Sequence, residues 1–223
     1  MKKYHAVLFD LDGTLVDSQR GILFCFEKTF SHFGITLNEN QLRRYLGPPL
    51  RESFAEHLPA EQVEEAVTLY RDWYDQYGIA MSSPFEGVRE MLNTLKEHQI
   101  ITAVATSKTR TVAQKVLDYF DLSRYFDVIQ GASEDRTLDT KTAVMQAVLA
   151  DDALKGCTAV MVGDREHDLT GAKNCGIDAV GCTYGYAQPG ELEAGETVYL
   201  AKSPEDLTSW LLDFCFGKGE MER

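Results

Sequence analysis

The most constraining stretch is residues 4–17, Tyr-His-Ala-Val-Leu-Phe-Asp-Leu-Asp-Gly-Thr-Leu-Val-Asp. Ala6 to Phe9 form a short, β-prone apolar run without polar alternation, the pattern of a strand buried on both faces of a parallel sheet. Asp10 stands where that strand should end, and Asp12, Gly13 and Thr14 follow at once. Ligands of open parallel sheets collect just beyond the carboxyl ends of the strands. The sequence therefore puts two carboxylates where chemistry happens, on a turn that Gly13 lets bend sharply.

Beyond Asp17 the hydrophobic period becomes helical. Ile22, Phe26, Phe30 and Phe33 share one face, with Ser18 as N-cap and Gly34 as the stop. Asn38 is expected to cap a second helix running through Leu46, ended by Gly47-Pro48-Pro49. A third should run from Leu50 towards Leu58. A longer one after Pro59 carries Val63, Val67, Tyr70, Tyr74 and Tyr77 and closes near Gly78. This aromatic stripe reads as the core of an all-helical insertion with no strand in it.

Alternation begins after Pro84. Val88, Met91, Leu92 and Leu95 make a helical face, and a buried strand over 100–105 ends in Thr106-Ser107. Helices are expected at 109–120, 140–151 and 166–175, with strands at 126–130, 158–162, 178–182 and 198–201. A last helix opens with Ser203-Pro204-Glu205-Asp206, a capping-box pattern, and presents Leu207, Trp210, Leu211 and Phe214. The polar tail from Gly217 is expected to fray. Alternating strands and helices predict an α/β fold, a Rossmann-like parallel sheet covered on both sides. The chain then divides into a catalytic core of residues 1–16 and 83–223 and a helical insertion of residues 17–82.

Lys and Arg number 22 against 35 Asp and Glu, a net charge of −13. So acidic a chain is a poor partner for nucleic acid or an anionic membrane, and any anionic ligand must find a local positive site. The five cysteines (Cys25, Cys157, Cys175, Cys182 and Cys215) are scattered, with no Cys-x-x-Cys. Free thiols in a reducing compartment are the simpler reading. Asp10 interrupts the first apolar run after four residues, so it is no signal peptide, and no later run could span a bilayer. A cytoplasmic location is expected.

Polar residues cluster at four strand ends or helix starts: Asp10 and Asp12; Thr106 and Ser107; Lys141; and Gly163-Asp164-Arg165-Glu166-His167-Asp168. In this order they resemble the four motifs of the haloacid-dehalogenase-like hydrolases, and the phosphoglycolate-phosphatase-like subgroup in particular. The resemblance covers nearly the whole chain. It implies a Rossmann-like core with a helical cap inserted after the first motif, acting as a lid, and an Mg²⁺-dependent phosphatase working through an aspartyl phosphate.

By that resemblance Asp10 is the nucleophile and Asp12 the acid and base. Thr14 holds the loop, and Thr106 and the Ser107 backbone N–H bind phosphate. Lys141 neutralises phosphate and Asp10. Asp10, Asp12 through its carbonyl, and Asp164 hold the metal, with Asp168 behind them. Physical chemistry runs alongside: a phosphate dianion and a nucleophilic carboxylate repel, so cations are needed, and carboxylate oxygens suit Mg²⁺. If helix begins at Asp164, then Asp164 and Asp168 share one face. Lys108 competes with Lys141 for the phosphate role, because Thr140-Lys141-Thr142 lacks the proline that often follows the family lysine. His167 is a candidate proton shuttle.

Partners are expected to be small phosphorylated metabolites, with the protein a monomer or homodimer. Arg20, Arg43, Arg44 and Arg51 are the insertion's candidates for a substrate carboxylate, Arg51 foremost. Thr183-Tyr184-Gly185-Tyr186 resembles a loop near the site in this subgroup, and its tyrosines suit core packing equally. Phosphoglycolate, a nucleoside monophosphate, pyrophosphate and a phosphosugar all remain open as substrates. A phosphosugar mutase or 5'-nucleotidase uses the same aspartates. A receiver-like phospho-switch is the alternative from another class.

Overall fold

The computed structural model describes residues 4–135 and 137–216, and for Cys215 and Phe216 the backbone only. The polar tail from Gly217 and the Cys215 thiol thus lie outside the described residues. In chain order the strands are β1 (Ala6–Phe9), β2 (Val16–Asp17), β3 (Ser83–Pro84), β4 (Ile101–Thr109), β5 (Val128–Ala132), β6 (Ala159–Gly163), β7 (Asp178–Cys182) and β8 (Tyr199–Ala201). The α-helices are α1 (Gln19–His32), α2 (Glu39–Leu42), α3 (Leu50–Ala55), α4 (Ala60–Trp73), α5 (Val88–Glu97), α6 (Arg110–Tyr119), α7 (Lys141–Leu149), α8 (Glu166–Cys175) and α9 (Pro204–Phe216). The chain forms two compact units: one holds the residues up to Val16 and from Pro84 onward, the other Asp17–Ser83.

The first unit is built on a six-stranded sheet in the order β5-β4-β1-β6-β7-β8, with every pairing parallel. β1 sits inside it, with Phe9 opposite Val104 of β4 on one side and Val162 of β6 on the other. All four β1 residues are buried, which is why their sequence shows no polar alternation. The connections run from β1 outward through β4 to β5 and then return to β6. The strand order therefore reverses beside β1, the place where such sheets open a crevice. On one face, α7 and α8 bury Val144, Met145, Val148 and Leu169 against Ala6, Leu8, Ala103 and Met161. Each such fully buried aliphatic side chain contributes roughly 1.5–3 kcal/mol.

One boundary differs from the sequence expectation in a way that matters for the site. β4 does not end at Ala105: it continues through Thr109, its pairing to β5 shifting register between Thr106 and Thr109. The residues Thr-Ser-Lys-Thr look like a loop in sequence, but backbone pairing of Thr109 with Ala132 keeps them extended. α8 begins at Glu166, where its sequence predicts, with Arg165 at the cap, so Asp164 lies outside the helix. At α9, the Ser203 hydroxyl accepts from the Asp206 N–H at 3.1 Å, while the Asp206 carboxylate reaches back to the Lys202 N–H at 2.8 Å, one residue before the box position.

The second unit is helical, as its period requires. Phe26 is its centre, with ring centroids 4.8 Å from Tyr70, 5.2 Å from Tyr45 and 5.3 Å from Phe54. Tyr77 is 44% exposed and lies outside this core, a correction to the stripe read from sequence. The second helix is also shorter than expected. Asn38 and Gln41 form a reciprocal capping box, but α-helix ends at Leu42 and Arg43–Tyr45 tighten into a 3-10 turn. Gly78 does not stop a helix. A π-helical turn over Tyr74–Gly78 carries the chain through it, and a side chain at Gly21 would meet the Gly78 carbonyl oxygen. The two glycines mark a close backbone approach.

Candidate active site

The end of β1 is shaped by its loop. The Leu11 carbonyl accepts from the N–H groups of Leu15 and Val16, and the Gly13 N–H donates to the Val16 carbonyl at 2.9 Å. Gly13 closes this turn at φ +83, and any side chain there would run into the Asp164 carboxylate. The turn leaves Asp10 and Asp12 beyond the strand. Asp10 is almost buried, and its N–H extends the sheet by donating to the Val162 carbonyl at 2.9 Å.

Lys141, the first residue of α7, is buried beside it. Its ammonium is 2.8 Å from Asp10 Oδ1, 2.8 Å from Asp168 Oδ1 and 3.0 Å from the Ala105 carbonyl. An ammonium has three protons, so these three oxygens match its full donor capacity. Burial pulls the Lys141 pKa down, but Asp10 and Asp168 together pull harder the other way, and the net shift is upward. Lys141 thus stays charged and welds the first and last motifs together.

Asp12 has a different cation. Lys108 Nζ is 3.1 Å from Asp12 Oδ2, with the two side chains 12% and 18% exposed. Sequence reasoning treated Lys108 only as a rival to Lys141. The structure gives each lysine its own carboxylate. The extension of β4 that carries Lys108 forward is invisible in its polar residues. The same extension corrects the Ser107 reading. Ser107 is exposed and lies within β4, three positions ahead of α6, so no helix N-terminus begins behind its N–H. Thr106 is buried and its hydroxyl oxygen accepts from the Lys108 N–H at 3.3 Å.

Asp164, fully buried at the end of β6, takes the Tyr186 N–H on Oδ2 at 2.6 Å and the Thr14 hydroxyl on Oδ1 at 3.4 Å. Burial, then Asp168 and Asp10, push its pKa well above the ordinary aspartate range. Asp168 does not share a helical face with it, since Asp164 lies outside α8. Asp168 is the third residue of that helix, accepting the Arg165 N–H on Oδ2 at 3.1 Å and facing Lys141 with Oδ1. Burial raises its pKa too, against the pull of Lys141.

The loop after β7, which sequence left undecided between site and core, closes the arrangement. The Tyr184 hydroxyl donates to the Thr14 carbonyl at 3.1 Å, and Gly185 sits so close that a side chain would strike both Asp164 and the Gly13 carbonyl. Arg51 lies in the helical unit, where its guanidinium makes a two-pronged contact with Glu64 at 2.6 and 3.0 Å. Arg43 is held by Glu39 and Arg44 by Glu56. His167 is partly exposed at the start of α8.

One oxygen from each of Asp10, Asp164 and Asp168 can lie within 4.8 Å of the others, and all three residues are buried. Lys141 touches two of them. An all-oxygen carboxylate set with this much buried negative charge suits a hard divalent cation, so these residues fit one.

The chain thus joins a parallel α/β core to paired aspartates, two lysines and a hydroxyl at its strand ends. The family model for haloacid dehalogenase-like hydrolases matches residues 7–182, and the chain belongs to that family. A crystal structure described as a predicted phosphoglycolate phosphatase from Haemophilus somnus shares the fold, with a TM-score of 0.81 at 20% identity over 94% of this chain and 99% of the other. Tyrosine-protein kinase PtkA of Mycobacterium tuberculosis is 40% identical over 183 residues, covering 82% of this chain and 63% of that protein. The chain therefore spans less than two thirds of that relative. A 5'-nucleotidase of Pseudomonas aeruginosa is 32% identical over 200 residues, 88% of this chain and 90% of the nucleotidase. The crystal structure of a predicted phosphatase from Clostridium acetobutylicum superposes with a TM-score of 0.88 at 34% identity, over 95% of this chain and 100% of the other. Among the described residues no helix is long and apolar enough to cross a membrane.

Proposed function

We propose that the protein hydrolyses small phosphate monoesters with Mg²⁺ through an aspartyl phosphate on Asp10. The observation that carries this reading is the division of labour between the lysines. Lys141 fixes Asp10 against Asp168 at 2.8 Å each, while Asp12, two residues on, faces Lys108 at 3.1 Å. Two carboxylates so close in sequence are thereby held by separate lysines, so one can be aimed at phosphorus while the other stays available for proton transfer.

Asp10, the Asp12 backbone carbonyl and Asp164 would hold Mg²⁺. When bound, the ion neutralises charge on the phosphoryl oxygens and the attacking carboxylate, which at contact repel by about 4 kcal/mol for each pair of unit charges at an effective dielectric of 20. A carboxylate oxygen of Asp10 then forms the new bond to phosphorus as the bond to the leaving oxygen breaks. Asp12 gives that oxygen its proton. The same carboxylate next takes a proton from water. The water oxygen attacks phosphorus, the acyl phosphate bond breaks, and Asp10 and inorganic phosphate separate. Thr106 serves the phosphoryl oxygens with its hydroxyl. Thr14 supports Asp164.

The substrate class is a small phosphorylated metabolite. Phosphoglycolate is the first candidate through the subgroup likeness, and a nucleoside monophosphate is supported by the relative named 5'-nucleotidase. Arg51 is the candidate contact for a second anionic group, and using it means releasing Glu64. The test is a panel of phosphorylated metabolites assayed with and without Mg²⁺ and ranked by kcat/KM. Metal-dependent multiple turnover is expected. Turnover that persists under exhaustive chelation, or stoichiometric labelling with no turnover, would overturn the reading.

A further inference from the structure

The far end of the loop that follows β7 is tied down by an acidic side chain. Glu191 is well inside the first unit, its side chain 9% exposed. Its Oε1 accepts from Arg165 Nε at 2.8 Å and from the Glu166 N–H at 2.8 Å, and its Oε2 accepts from the Gln188 N–H at 2.7 Å. The Glu191 N–H donates in turn to the Gln188 carbonyl at 3.0 Å. One carboxylate thus staples residue 188 to the chain that leaves β6. Burial works against the charge, but the Gln188 N–H, the Arg165 guanidinium and the Glu166 N–H overcome it and hold the pKa below the usual glutamate value.

What lies between the staple and β7 is the part of the loop that grips Asp164. The Tyr186 N–H donates to Asp164 Oδ2 at 2.6 Å. Gly185 packs against the Asp164 side chain and the Gly13 carbonyl, and the Tyr184 hydroxyl donates to the Thr14 carbonyl. The loop has two anchors: β7 with β8 at one end, where the Thr183 N–H reaches the Ala201 carbonyl at 2.9 Å, and Glu191 at the other. We propose that Glu191 is a positioning residue for the divalent-cation site, acting through the Tyr186 N–H and Gly185 to set how Asp164 is presented. This rests on the reading of Asp164 as a ligand. A partner that orients a ligand changes metal affinity roughly 10–100-fold when it is removed. Glu191 touches no reacting atom, so chemistry at saturating metal should be spared.

The experiment titrates Mn²⁺ into metal-free wild type, Glu191→Ala, Glu191→Gln and Asp164→Asn, following free Mn²⁺ by electron paramagnetic resonance. Thermal unfolding of each metal-free variant is recorded alongside. Turnover of a generic aryl phosphate is measured at rising Mg²⁺. Glu191→Ala should weaken Mn²⁺ binding about 10-fold or more and raise the Mg²⁺ needed for half-maximal rate in parallel, with kcat at saturating Mg²⁺ within about threefold of wild type. Glu191→Gln keeps the shape but turns an NH₂ towards one of the donors, so it should show a smaller shift of the same kind. That variant carries the test if the alanine variant does not fold. Unchanged Mn²⁺ affinity in a folded Glu191 variant would overturn the proposal, as would a fall in kcat that saturating metal does not restore. Asp164→Asn separates the two levels of argument. If it binds Mn²⁺ as wild type does, or if wild type binds none, the ligand assignment itself fails and the role of Glu191 falls with it.

Discussion

Lys108 Nζ lies 3.1 Å from Asp12 Oδ2, whereas Lys141 spends its three protons on Asp10, Asp168 and the Ala105 carbonyl. The two lysines therefore do different work, and substitution separates them. Lys108→Met should lower kcat/KM about 10²-fold, the scale of a disturbed general acid. Its melting temperature should fall less than that of Lys141→Met, because it strands one carboxylate, 18% exposed, where Lys141→Met strands two at 12% and 1%. Steady-state kinetics and a thermal scan on one preparation check both halves.

Lys141→Met should damage both activity and stability. It leaves Asp10 and Asp168 facing each other with side chains only 12% and 1% exposed. Removing one partner of a buried charge set costs roughly 3–5 kcal/mol. Adding Asp10→Asn to Lys141→Met should recover part of that loss, because one of the stranded charges goes with it. Urea denaturation of the single and double variants measures the recovery, and turnover should remain absent in both.

The metal-free protein should be least comfortable at neutral pH. Burial, Asp168 and Asp10 raise the Asp164 pKa in the folded state. A raised carboxylate pKa favours the protonated form, so its contribution is fully present below the unfolded value and is lost as pH rises through the folded one. Asp164→Asn should therefore melt higher than wild type near pH 7 without metal, with the gap closing towards about pH 4, where unfolded aspartates begin to protonate. Saturating Mg²⁺ should raise the wild-type melting temperature and leave the variant's unchanged.

Gly185→Ala tests the close approach of the loop. A Cβ there would run into Asp164 Cβ and the Gly13 carbonyl oxygen, and a backbone oxygen cannot swing aside. The variant should fold, with the loop displaced from Asp164, and lose at least about 10-fold in metal affinity. Calorimetric titration with Mg²⁺ reads this directly.

The sheet was legible because its strands are buried. Ala6–Phe9 and Ala179–Cys182 stand out as unbroken apolar or small-residue runs, and the polar residues that end such runs are the ones the fold collects. Asp10, Thr106 and Asp164 could be found that way. What stayed hidden depends on pairing between distant segments. Thr106 to Thr109 reads as a loop by residue type and is held extended by β5. The contact of Lys108 with Asp12 has no local signature, nor does that of Glu191 with Arg165. In the helical unit, Gly78 looked like a terminator because nothing in its neighbourhood reveals Gly21 opposite it.

The central claim is that Asp10 carries the phosphoryl group between substrate and water. Acid quenching during steady turnover, followed by peptide mass spectrometry with and without hydroxylamine, tests it most directly. The account predicts a phosphorylated peptide containing Asp10, discharged by hydroxylamine and absent from Asp10→Asn, which should not turn over. Near-normal turnover by Asp10→Asn, or hydrolysis with no covalent phosphate on that peptide at any quench time, would contradict it.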